Sequence, residues 1–104
     1  MTIMKQQPIV CTLSPAALQA RREGLLLRLI QRTVDRQQLP NGYRFEFAAT
    51  EEIVPMIARV VDAERQCCRF LQFQLTVQPD DGPIVLELTG PPGTEEFISA
   101  LLDA

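Results

Sequence analysis

Between residues 53 and 68 the apolar positions keep the period of an α-helix. Ile53, Ile57, Val60, Glu64 and Cys67 follow at spacings of four, three, four and three, which puts them on one continuous stripe. Thr50, followed by Glu51 and Glu52, supplies a cap and first-turn acids, while Pro55 draws the start of the helix toward itself. From Phe70 to Gln78 the period changes to two. Leu71, Phe73, Leu75 and Val77 alternate with Gln72, Gln74, Thr76 and Gln78, the pattern of a strand with one apolar side. Pro79-Asp80-Asp81-Gly82-Pro83 reads as a turn with Asp-Gly as its hairpin dipeptide, and Ile84, Leu86 and Leu88 repeat the alternation. An antiparallel hairpin follows from that pairing. Gly90-Pro91-Pro92-Gly93 breaks the chain, and Thr94 caps a last helix that buries Phe97, Ile98, Leu101 and Leu102.

The first half of the chain carries weaker signals. Ile9, Cys11 and Leu13 share a side if residues 8–13 are extended. Ser14-Pro15 then gives a helix start, and Leu18, Leu25 and Leu29 predict a helix from Ala16 to about Gln37. Gly24 weakens it by up to ~1 kcal/mol relative to Ala, so it marks a close contact or a kink. Arg28, Arg32 and Arg36 would line one solvated face of that helix. Pro40-Asn41-Gly42 ends the unit, and Tyr43-Arg44-Phe45-Glu46-Phe47 alternates as a half-buried strand. The order predicts an α+β fold in two layers over residues 1–104. Its sheet is mixed or antiparallel, of three to four strands, with helices packed mainly on one face. The other, glutamine-rich face is either solvated or the contact surface of a homodimer.

Composition narrows the function classes. With 104 residues the chain suits one core rather than two, and 46% hydrophobic content excludes global disorder. A net charge of −3, with the arginines spread out, argues against a nucleic-acid partner. No run approaches the ~20 apolar residues of a membrane span, and Met1–Gln7 holds no signal-type apolar region. A cytoplasmic location is therefore expected, and three cysteines, an odd number, fit it better than a secreted disulfide framework. The chain has no histidine, which excludes Ser-His-Asp and Cys-His catalysis and any imidazole metal site.

One cluster breaks its own pattern. Glu64 lies on the apolar stripe, one turn before Cys67 and Cys68, and a carboxylate there is costly unless paired, protonated or bound. Three readings stay open. The cysteines can be small core hydrophobes, with Glu64 reaching the rim or pairing with Arg65, Arg69 or an arginine of the first helix. They can hold a soft metal or metalloid ion, with Cys11 as a third sulfur and Glu64 as an oxygen ligand. Sulfur donors without histidine suit Hg(II), As(III), Cd(II), Cu(I) or Zn(II). That reading requires the helix to end at the pair, because neighbouring helical side chains diverge by ~100°. Finally, Cys67 or Cys68 can be a nucleophile, although a helix C-terminus and a nearby acid both disfavour a thiolate.

The strings Cys11-Thr12-Leu13-Ser14-Pro15, Gly42-Tyr43-Arg44-Phe45, Glu64-Arg65-Gln66-Cys67-Cys68-Arg69-Phe70-Leu71 and Leu88-Thr89-Gly90 carry a family resemblance. The chain resembles a family of small, functionally uncharacterised bacterial proteins with a Cys-Thr-Leu start and a Glu-Arg-x-Cys-Cys-x-Phe core. The resemblance implies no activity, but it groups Cys11 with the Cys67-Cys68 pair. The expectation is a non-enzymatic domain with a soft-metal site at Cys11, Glu64, Cys67 and Cys68. A homodimeric interaction module and a thiol enzyme are its alternatives.

Overall fold

In the computed structural model, which describes residues 22–102, the first helix is shorter than its periodicity predicts. A π-helical stretch, Arg22–Leu26, runs into a five-residue helix, α1 (Leu27–Gln31), anchored by buried Leu29. The Arg32 N–H donates to the carbonyls of Leu29 and Ile30, and the Thr33 hydroxyl donates to Ile30 at 2.8 Å. Those bonds satisfy two of the last carbonyls at the end of the helix. The chain continues as a strand, β1 (Thr33–Leu39), and not as the helix expected through Gln37. Thr33 and Val34 are β-branched, and Val34 is largely exposed, so no core contact holds this segment helical. Arg36 therefore sits on a strand, and the expected arginine face of a single helix does not form. Gly24 lies within the π stretch with nothing within 4 Å of an added Cβ, so it marks an irregular turn and not a close contact.

Pro40-Asn41 joins β1 to β2 (Gly42–Phe47) as a two-residue turn, with Leu39 opposite Gly42. The second hairpin pairs β3 (Gln72–Val77) with β4 (Ile84–Thr89) as the alternation predicts. Its tight turn centres on Asp80 and Asp81, both at φ 57, with the Gly82 N–H donating to Pro79 at 3.1 Å. Positive φ at both central positions is the type I′ geometry, one residue earlier than Asp-Gly suggested.

The four strands of the described residues form one antiparallel sheet in the order β1-β2-β4-β3. Its register aligns Phe45, Leu86 and Leu75 in one row, Phe47, Ile84 and Val77 in the next, and Tyr43, Leu88 and Phe73 in a third. All nine point to one face. The central members of these rows are buried against Leu29 of α1, Ile53, Ile57 and Val60 of α2 (Ile53–Cys67), and Ile98 of α3 (Thr94–Leu102). The α+β fold with helices on one face is thus observed. Toward β3 the cover thins: Leu75 is 40% and Val77 58% exposed, although their alternation predicted burial. On the opposite face Arg44 lies 2.8 Å from Glu46 and 3.9 Å from Glu87, all three half-buried, and Val85 beside them is buried.

Two helix starts differ from expectation. Glu52, at φ 70, is the N-cap of α2, and no side chain caps it, so Thr50 does not play that part. Pro55 is accommodated because it occupies the first turn, where backbone N–H groups have no intrahelical acceptor. Thr94 is fully buried and turns its hydroxyl back to Pro91 at 2.7 Å, while Glu95 and Glu96 favour the positive end of α3. A side-chain chain from Tyr43 through Ser99 (2.5 Å) to Glu95 (3.1 Å) pins α3 to β2. The strand expected over residues 8–13, the Ser14-Pro15 helix start and Cys11 lie outside the described residues. Among the described residues no helix is long and apolar enough to cross a membrane.

Candidate functional site

The buried residues of α2 are Ile53, Ile57, Val60, Glu64 and Cys67, the same stripe that the spacing predicts. Glu64 is 4% exposed, and Cys67 and Cys68 are fully buried, so the carboxylate does not emerge at the helix rim. Arg65 turns outward to pair with Asp62 at 2.9 Å, both side chains being mostly exposed.

The helix ends where the chemistry needs it to. Cys67 is the last residue of α2, and Cys68 follows at φ −105 and ψ 75, outside the helical region. Its N–H still donates to the Glu64 carbonyl at 2.6 Å, but its backbone has begun the turn that leads to β3, closed by the Leu71 N–H on the Cys68 carbonyl at 3.1 Å. At this helix end the two adjacent side chains turn their sulfurs toward each other. The two sulfurs lie 3.4 Å apart, far beyond the ~2.05 Å of a disulfide. The Cys68 sulfur is also 3.7 Å from Glu64 Oε1. One ligand atom from each of the three residues lies within 4.8 Å of the other two.

Among the described residues, apolar side chains wall the cysteines. Phe70, Leu71 and Phe97 pack against the cysteines, with Phe70 and Phe97 edge to face at 5.0 Å between centroids. Phe70 reads in the sequence as the first residue of the strand, yet it precedes β3 and is buried in the wall of the thiol cluster. On its other side Glu64 helps line a cavity of about 40 Å³ with Leu29, Phe45, Val60 and Leu86, room for a water-sized occupant. Two thiols and a carboxyl in such a setting ionise together only if positive charge accompanies them. A metal ion bound there would meet that requirement, as would a guanidinium beside them, and metal binding to thiols displaces their protons. Full burial of both sulfurs disfavours direct attack on a bulky substrate, which weakens the nucleophile reading.

Glu64, Cys67 and Cys68 are therefore brought together, whereas Cys11 lies outside the described residues. No family model matches the chain, and no curated protein or solved structure is significantly similar to it.

Proposed function

We propose that this chain is a cytoplasmic domain that binds a soft metal or metalloid ion through the thiolates of Cys67 and Cys68. Glu64 supplies an oxygen ligand and Cys11 a further sulfur. The observation that carries the reading is the convergence of three buried donor atoms within 4.8 Å at the point where α2 ends. The membership implied by the Glu-Arg-x-Cys-Cys-x-Phe string belongs to the same proposal.

The sulfur separation favours some ions over others. Tetrahedral zinc with Zn–S bonds of ~2.3 Å holds its sulfurs roughly 3.8 Å apart, so the observed 3.4 Å needs only a small opening. Tetrahedral Zn(II) and Cd(II) and pyramidal As(III) suit this narrow bite. An ion that demands two opposed thiolates, as linear Cu(I) or Hg(II) does, suits it less. The burial of both sulfurs behind Phe70 and Phe97 favours a resident ion over one exchanged with substrate.

Native mass spectrometry of the fully reduced chain with Zn(II), Cd(II), Hg(II) and arsenite tests the reading. A one-to-one adduct that disappears in Cys67→Ser and Cys68→Ser is the expected result. Absence of any selective adduct, or an adduct that both substitutions leave intact, removes it.

A further inference from the structure

The sheet has two edges, and they are built differently. β1 carries Asp35 and Arg36 and an irregular register between Thr33 and Asp35, features that discourage another strand from pairing. β3, Gln72–Val77, has no charged residue, no proline and an unbroken register with β4. Its outer side is unpaired among the described residues, and Leu75 and Val77 stand exposed on it. Beside them an open groove of about 320 Å³ runs between β3 and α2, lined by Ile57, Val61, Phe73, Leu75 and Leu86, with Asp62 and Arg65 among its polar residues. An uncharged edge of unbroken register, with exposed apolar side chains, is a template for strand addition.

Charges at its two ends indicate which strand fits. Exposed Arg69 precedes β3, and exposed Asp80 and Asp81 follow it. An antiparallel partner of the same sequence brings the cation of each copy to the acids of the other. A two-fold axis perpendicular to the sheet also keeps the faces matched, so residues of like parity lie opposite one another.

We propose that the chain forms a homodimer by antiparallel pairing of β3 with the β3 of a second copy, joining two four-stranded sheets into one. With the axis at Leu75, Phe73 lies opposite the partner's Val77, Leu75 opposite the partner's Leu75, and Arg69 reaches the partner's Asp81. The apolar face of the sheet becomes continuous across the seam, and each groove is covered by the other copy. The contact is the edge and its groove, not the charged sheet face around Arg44.

Size-exclusion chromatography with light scattering on the full reduced chain, from micromolar to several hundred micromolar, is the test. A concentration-dependent dimer is expected. Leu75→Arg places two cations opposite each other on the axis and raises the dissociation constant by at least about a hundredfold. Far-UV circular dichroism should be unchanged, because that side chain is 40% exposed. Arg69→Glu should weaken the dimer by about tenfold, and Val34→Arg on the other edge should leave it intact. If Leu75→Arg does not fold, hydrogen exchange of the unsubstituted chain decides: β3 amides that gain protection as concentration rises support the pairing, and concentration-independent exchange overturns it. A strictly monomeric chain, or a dimer that survives Leu75→Arg, also overturns it.

Discussion

Replacing Cys67 by Ser tests whether the buried thiols form a site or only a core. The sulfur is fully buried, so the substitution puts a hydroxyl where no water reaches. That change alone costs about 1–3 kcal/mol, and at roughly 4–8 °C per kcal/mol for a domain of this size the ion-free midpoint falls by several degrees or more. The informative quantity is the response to metal. Folding holds the three donors together, so an ion that prefers the assembled set stabilises the native state, less whatever the adjacent thiols bind in the unfolded chain. At a free concentration of 100 times Kd the gain is about 2.7 kcal/mol, an upward shift of roughly 10–20 °C. Thermal unfolding followed by circular dichroism, with chelator and then with buffered Cd(II), measures both terms. The native chain should show the full shift, and Cys67→Ser little of it. Cys68→Ser should lose at least as much, because its sulfur touches both Cys67 and Glu64. An equal shift in all three proteins would place the ion elsewhere and refute the reasoning.

Ion affinity should rise with pH across the neutral range, by about one to two powers of ten per unit, because thiol protons must leave; chelator competition at several pH values measures it. Gly42→Ala should destabilise by at least about 2 kcal/mol in urea unfolding, since its Cβ would lie 1.8 Å from the Leu88 carbonyl oxygen across the β2–β4 ladder. Tyr43→Phe should cost about 1 kcal/mol in the same assay by releasing Ser99 of α3.

What the sequence made legible follows from which interactions leave a period. The α2 stripe, with Glu64 as its anomaly, depends on burial along one helix face, and every member is buried. The second hairpin shows because Phe73 to Leu88 alternate around a turn rich in turn formers. β1 was hidden: most of its residues are exposed on both sides, so its pairing with β2 rests on backbone hydrogen bonds that no side-chain pattern records. Leu75 and Val77 alternate correctly yet stay exposed, because the period of two reports a shared face and not how far the helices extend over it. At the site, the residue types were readable. Their convergence was not, because it depends on where α2 ends and on the rotamers of three side chains, which leave no period in the sequence.

X-ray absorption at the zinc edge of the one-to-one complex tests the central claim most directly. Ion binding by Cys67, Cys68 and Glu64 predicts at least two sulfur neighbours at ~2.3 Å with oxygen at ~2.0–2.2 Å, and loss of that sulfur shell in Cys67→Ser, which no longer retains the ion. A shell of light atoms alone, unchanged by the substitution, would contradict it.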